Sequence, residues 1–242
     1  MEAIKTVKLS KTYGKLTAVD DLDLAIAQGE LFALLGVNGA GKTTTLKMLA
    51  CLTRPSGGDA LLNGHSVISE PAAVKRIIGV SPQETAVAPN LTALENLLLM
   101  GGVHGLSSQA AQRRADELTQ RFGLSPILSR RAGKLSGGWQ RRLSIAMALV
   151  SAPEILFLDE PTLGLDVIAR SELWDVIRAL KGNTTIVLTT HYMEEAEALS
   201  DCIGVMRDGH LLALGTADDL KRLADTDKFE DAFVKIVKEG VK

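Results

Sequence analysis

The residues best suited to chemistry are Gly36-Val37-Asn38-Gly39-Ala40-Gly41-Lys42-Thr43-Thr44, which fill every specified position of a phosphate-binding loop, G-x-x-x-x-G-K-[ST]. They stand between an apolar run, Leu31 to Leu35, and a helix-forming run, Thr43 to Cys51, with Leu46, Leu49 and Ala50 on one face. Glycines at 36, 39 and 41 let successive backbone N–H groups converge on one anion, and the helix that follows adds the positive end of its dipole. Lys42 would pair with the outer phosphates of a nucleotide, and Thr43 would offer its hydroxyl to Mg²⁺. A Gly-rich turn carrying a surface lysine is the plain alternative. The strand-then-helix setting argues against it.

Three more polar sites each follow an apolar strand. Asp159-Glu160-Pro161 ends the run Ile155 to Leu158. Asp159 is suited to hold Mg²⁺ through water, because a hard cation takes oxygen ligands; the alternative is an aspartate that caps a helix. Glu160, one residue on, points elsewhere and would polarise an attacking water as general base, unless it is a surface glutamate. Gln83 follows Ile77 to Val80 and can give its amide oxygen to Mg²⁺, while His191 follows Thr184 to Thr190. Alone, Gln83 reads as a loop residue and His191 as a structural histidine. Open parallel sheets bind ligands at the carboxyl ends of their strands, and here four such ends carry residues able to handle phosphate, metal and water.

The elements that must position these residues read as an α/β fold: a P-loop NTPase core with a mainly parallel sheet, an N-terminal antiparallel β subdomain and an inserted α-helical subdomain. Ile4, Val7 and Leu9, then Leu22, Leu24 and Ile26, mark two half-buried strands around a polar turn, Lys11 to Lys15, and Asp59 to Leu62 before Asn63-Gly64 marks another. Thr92 with Glu95 forms a capping box opening a helix with Leu94, Leu97 and Leu98. A second helix from Ser108 carries Ala111, Ala115, Leu118 and Phe122 and stops at Gly123. One domain over 1–242 results, with residues 1–83 and 151–215 as core and β subdomain, 84–150 as helical insert and 216–242 as helical tail. A hairpin turning at Asp208-Gly209 leads into that tail, where Thr216 with Asp219 starts a helix and Phe229, Ala232, Phe233, Ile236 and Val237 form a stripe that reads as docked on the core, a partner-binding or dimerising surface being the alternative.

Twenty-seven Lys and Arg against 29 Asp and Glu leave a formal charge of −2 with no basic block, which argues against a nucleic-acid partner. The two cysteines, Cys51 and Cys202, sit among apolar neighbours and read as buried, reduced thiols in a reducing compartment. No stretch approaches the roughly 20 apolar residues of a membrane span. The N-terminus lacks the apolar core of a signal peptide. Work at a membrane would therefore go through a partner.

Leu135-Ser136-Gly137-Gly138-Trp139-Gln140, opening a helix with Leu143, Ile145, Ala146, Leu149 and Val150, resembles the LSGGQ signature of ATP-binding cassette (ABC) transporter ATPases. With Tyr13, the phosphate loop, Gln83, Asp159-Glu160-Pro161, Leu163-Gly164-Leu165-Asp166 and His191, the resemblance covers nearly the whole chain. It implies ATP as substrate with Mg²⁺, and two copies packed head to tail so that residues 135–140 of one face the phosphate loop of the other. Ser136 at a helix start followed by two glycines presents bare N–H groups that a γ-phosphate would satisfy, a plain Ser cap being the alternative. By the same resemblance Tyr13 would stack on adenine with Val19 beneath it, although a structural tyrosine fits the local sequence as well. Gly36, Asn38, Gly39, Ala40, Gly41, Lys42, Thr43 and Thr44 would hold phosphates, with Thr43, Gln83 and Asp159 on the metal. Glu160 would be the base, His191 would contact the γ-phosphate, and Asp166 would cross the interface. Two positions depart from the family pattern: Trp139 replaces the usual Gln, and Leu163 replaces a small polar residue.

The tail is similar to that of single-cassette ATPases paired with separately encoded ABC-2-type permeases, which export drugs, sodium ions, lipids or polysaccharides. That likeness implies a peripheral subunit at the cytoplasmic face of the cell membrane, with the permease docking near the insert after Gln83. A soluble ABC ATPase of the cluster-assembly type and a regulatory nucleotide-binding module without turnover are the rival readings.

Overall fold

The structure, a computed structural model, describes residues 1–239; the last three residues of the expected tail lie outside the described residues. Strands β1 (Glu2–Tyr13), β2 (Leu16–Ala27), β4 (Gly57–Leu62) and β5 (His65–Ser66) form an antiparallel sheet in the order β2-β1-β4-β5. Lys11, Thr12 and Tyr13, expected in a turn, are strand residues paired with Val19, Thr17 and Leu16, so the turn shrinks to Gly14-Lys15. Val7, expected inward, is exposed: the register shifts between Thr6 and Leu9, where Lys8 adopts a left-handed φ of 46°. Thr6 faces inward instead and satisfies its hydroxyl by donating to the Leu22 carbonyl at 2.7 Å.

Strands β3 (Leu31–Gly36), β6 (Ile78–Ser81), β7 (Ile155–Asp159), β8 (Thr185–Thr190), β9 (Cys202–Arg207) and β10 (His210–Gly215) form a second sheet in the order β10-β9-β3-β8-β7-β6, parallel except for the β9–β10 hairpin. β3, β7 and β8 are buried throughout, as parallel strands covered on both faces must be. Phe32 and Leu34 point into the core shared with the antiparallel sheet, whereas Leu31, Ala33 and Leu35 point into the helical core. Helix α1 (Lys42–Leu49) fills the space toward the antiparallel sheet through Leu46, Met48 and Leu49. It stops before Cys51, which turns into a left-handed φ of 54°.

Between β6 and β7 come α3 (Ala93–Val103), α4 (Ser108–Arg121) and α5 (Gly137–Ala148), the first opened by the reciprocal Thr92–Glu95 capping box. α6 (Val167–Arg178) and α7 (Met193–Leu199) flank β8, and α8 (Ala217–Ala224) and α9 (Phe229–Glu239) end the described chain. α9 buries Phe229, Ala232, Phe233 and Ile236. Two short helices, α2 (Pro71–Ile77) and α7, were not expected, and β6 begins only at Ile78 because α2 takes Ile77. Cys51 and Cys202 are free but only partly buried, where full burial was expected. Among the described residues no helix is long and apolar enough to cross a membrane.

Candidate nucleotide site

Because β3, β8, β7 and β6 are adjacent and parallel, their carboxyl ends open on one edge and bring the phosphate loop, His191, Asp159-Glu160 and Gln83 together. Residues 38–44 of the loop, Gln83, Glu160 and His191 line a cleft of about 590 Å³ with Tyr13, Leu16, Ala18 and Leu163, while Asp159 lies buried behind Thr43 and does not reach its wall. The loop itself is shaped by backbone constraints. Gly41 has a φ of 104°, and a Cβ there would lie 2.5 Å from the Ala18 carbonyl oxygen. It caps α1 with no side-chain bond and no acidic residue follows in the first turn, so the N–H groups at that helix end are free for an anion.

Lys42 is 5% exposed; its Nζ donates to the carbonyls of Gly36 (2.8 Å) and Val37 (3.2 Å) and lies 3.6 Å from Glu160 Oε1. Burial lowers its pKa, against the charges of Glu160 and Asp159, which raise it. Asp159 and Glu160 point apart. Asp159 Oδ1 accepts from the hydroxyls of Thr43 (2.9 Å) and Thr189 (2.6 Å). Glu160 Oε2 lies 2.7 Å from His191 Nδ1, the range of a charge-assisted hydrogen bond. Glu160 holds a left-handed φ of 50°, a conformation that costs a non-glycine residue about 1–2 kcal/mol. Its N–H, directed at both the carbonyl and the hydroxyl of Thr189 at 3.1 Å, fixes it there.

Thr43 and Asp159 bring a hydroxyl and a carboxylate to the base of the phosphate loop, the hard oxygen donors that Mg²⁺ prefers. Gln83 lines the same cleft through an exposed side chain. Buried Arg141 of α5 donates to the backbone carbonyls of Pro82 (2.7 Å) and Gln83, so the Gln83 turn and the start of α5 are tied together.

Several expected contacts are placed elsewhere. Val19 is fully buried and does not line the cleft, because the left-handed Asp21 (φ 42°) breaks the alternation of β2 and turns Ala18 outward instead. Gly36 contributes its carbonyl to Lys42 rather than a cleft wall. Gln140 folds back, donating to the carbonyls of Ala132 (3.0 Å) and Leu135 (3.3 Å), and so braces the loop before α5 instead of facing a ligand. Leu135 is buried beneath that loop. Trp139 sits in a small crevice between α5 and α6 with Arg142 stacked 4.9 Å over its ring, and Arg142 continues to Glu172 at 2.8 Å. Gly138 permits this approach, since a Cβ there would meet Ala169 at 3.2 Å. Asp166 accepts from the Ala169 N–H at 2.9 Å and caps α6.

Ser136 and Gly137 are exposed at the N-terminus of α5, and the Ser136 side chain makes no capping bond. Among the described residues that line the cleft, none comes from 135–140, so one copy holds the phosphate loop and the signature apart. Sequence reasoning missed Thr189, Arg141, Leu16 and Ala18. Thr189 gives no signal within its own strand; it matters because β7 and β8 pair Asp159 with Thr189.

The family model for ABC transporters matches residues 19–163. This chain belongs to the ABC transporter family. Its relatives include the daunorubicin/doxorubicin resistance ATP-binding protein DrrA of Streptomyces peucetius, 48% identical over 90% of this chain and 67% of that protein. The linearmycin resistance ATP-binding protein LnrL of Bacillus subtilis is 39% identical over 90% of this chain and 70% of its own length. Among solved structures, an ATP-binding subunit of an ABC transporter superposes with a TM-score of 0.85 at 30% identity, covering 97% of this chain and 99% of that one. A dimeric ATP-binding cassette in a post-hydrolysis state with ADP and Pi gives 0.79 at 28% identity, covering 88% and 98%. The fold is that of an ABC ATPase cassette, and the activity of the family is ATP hydrolysis coupled to transport.

Proposed function

We propose that this chain is the motor subunit of an exporter, working as two identical copies attached to a separate membrane-spanning permease at the cytoplasmic face. The observation that carries the reading is the chain Lys42–Glu160–His191, in which a buried ammonium and a partly exposed imidazole flank one buried carboxylate, the arrangement expected of a phosphate-binding cation, a base and its orienting ring. Relatives named for drug resistance support an exported, drug-like cargo.

In this reading the loop N–H groups and Lys42 take the β- and γ-phosphates of ATP, and Tyr13 lies against the adenine with Leu16 and Ala18 beside it. Thr43, Gln83 and Asp159 would hold Mg²⁺, whose charge offsets that of the phosphate oxygens. Glu160 accepts a proton from water as the water oxygen bonds to the γ-phosphorus and the bond to the β-bridging oxygen breaks, releasing ADP and phosphate. His191 Nδ1 holds the carboxylate in place and its ring lines the cleft beside the γ-phosphate. The free N–H groups of α5 at Ser136 to Gly138 would close on the γ-phosphate bound by the second copy, with Asp166 at the joint. The insert next to Gln83 receives the permease, and Arg141 passes its movement to α5.

Glu160→Gln tests this. It should keep ATP binding, lower phosphate release by about 100-fold or more, and yield an ATP-dependent dimer in light scattering. Unchanged turnover removes Glu160 from the chemistry; a monomer at saturating ATP and Mg²⁺ removes the composite site.

A further inference from the structure

Behind the cleft lies a buried carboxyl that hydrolysis as described does not use. Glu195, on α7 beyond His191, is 0% exposed, and its Oε1 accepts the indole N–H of Trp174 on α6 at 3.1 Å. Its Oε2 is buried with no hydrogen-bond partner among the described residues, and so is the hydroxyl of Thr162, just past Glu160. Burial pushes the Glu195 carboxyl up, while the neighbouring Thr190, Thr162 and Trp174 side chains pull it back and the charge of Glu160 adds to the rise. The two unpartnered polar groups thus belong to one buried cluster, with Thr162 among the side chains that act on the Glu195 carboxyl. Thr190 belongs to it as well, and its hydroxyl accepts the Tyr192 N–H at 3.0 Å, which shapes the turn bearing His191.

We propose that Glu195 is a positioning residue for ATP hydrolysis: anchored on Trp174, it ties the loop after Glu160 through Thr162 to the His191 turn through Thr190. A bond between Thr162 and Glu195 satisfies both orphan groups at once, so the loop has a better-bonded position toward α7. Leu163 of the same loop lines the nucleotide cleft, so a nucleotide there and the Glu195 cluster act on one short segment. Glu195 thereby sets where the Glu160 carboxylate and His191 ring meet, without touching substrate. Glutamine matches the glutamate side chain in shape and keeps an oxygen to accept the Trp174 indole N–H.

The inference rests on Glu160 and His191 acting as proposed above, and the test separates the two. Phosphate release, ATP affinity and melting temperature are measured for wild type, Glu195→Ala, Glu195→Gln, Thr162→Val and a core control on the same helix, Leu199→Ala. Glu195→Ala and Thr162→Val should lower kcat about tenfold or more, since displacing reacting groups by ~1 Å costs up to about 100-fold. KM for ATP should stay within about twofold of wild type, because the phosphate loop is intact. Glu195→Gln should restore most of kcat. An unchanged kcat in Glu195→Ala, or a fall in kcat that Leu199→Ala reproduces at equal loss of melting temperature, overturns the proposal. If Glu195→Ala fails to fold, Thr162→Val alone decides by the same criteria. A wild-type chain whose turnover survives Glu160→Gln sinks the underlying mechanism instead.

Discussion

Replacing Thr189 by valine removes one hydroxyl from the centre of the site and leaves a similar volume. That hydroxyl is buried, donates to Asp159 Oδ1 at 2.6 Å and accepts from the Glu160 N–H at 3.1 Å. Glu160 N–H keeps the Thr189 carbonyl and Asp159 keeps Thr43, so the main loss is one hydrogen bond to a charged acceptor, about 1.5–3 kcal/mol. At ~2–4 °C per kcal/mol for a chain of this size, the melting temperature should fall by about 3–12 °C. The Glu160 backbone, strained at φ 50°, loses one of its two restraints, and turnover should drop about tenfold as its carboxylate wanders from the attacking water. Thr185→Val is the control: Thr185 sits at the opposite end of β8 and accepts only the Gly29 N–H at 3.0 Å. It should cost stability, about 0.5–1.5 kcal/mol, and leave kcat alone. Thermal melts and phosphate release settle both. If Thr189→Val turns over like wild type, or Thr185→Val slows it equally, the geometry at the end of β7 does not govern the chemistry.

Gly41→Ala should weaken nucleotide binding at least about tenfold in a fluorescent-nucleotide titration, because the new Cβ meets the Ala18 carbonyl at 2.5 Å and the left-handed backbone alone costs about 1–2 kcal/mol; wild-type affinity would mean that the loop reshapes freely. Val167 and Ile168, 78% and 73% exposed beside Asp166, should pack against the second copy. The double change Val167→Asp with Ile168→Asp should alter monomer stability by less than about 1 kcal/mol and weaken the ATP-dependent dimer of Glu160→Gln by tenfold or more in sedimentation; an unaffected dimer places the interface elsewhere.

The phosphate loop and the shared edge of four strands were legible because buried parallel strands read as short runs rich in apolar and β-branched residues, and the polar residue after each run marks where the strand ends. What escaped depends on geometry that crosses the chain. Non-glycine residues at Lys8 and Asp21 take left-handed backbone with no glycine to announce it, and each flips the strand beyond, exposing Val7 and exchanging Val19 for Ala18 at the cleft. The seven-residue helices α2 and α7 are too short for a 3.6-residue period to declare itself. Thr189 and Arg141 act on residues 30 and 58–59 positions away, through strand register and helix packing that local sequence does not encode.

If Glu160 is the base proposed above, the way it is shared between Lys42 and His191 would make phosphate capture and base activation one event. Burial lowers the pKa of Lys42, and the nearby Glu160 and Asp159 carboxylates oppose that fall. Its 3.6 Å approach to Glu160 is too long for a hydrogen bond, whereas its bonds to the loop carbonyls are shorter. A γ-phosphate brings more negative charge than one carboxylate, so the ammonium would turn to it at little geometric cost. That exchange would leave a buried carboxylate, 6% exposed, without its cation, an arrangement normally costing several kcal/mol. His191, already 2.7 Å away, supplies the compensating hydrogen bond. In the proposed mechanism the same ring would let Glu160 release Lys42 and face water as a base, which places the demand for His191 at the moment the phosphate arrives rather than at product release.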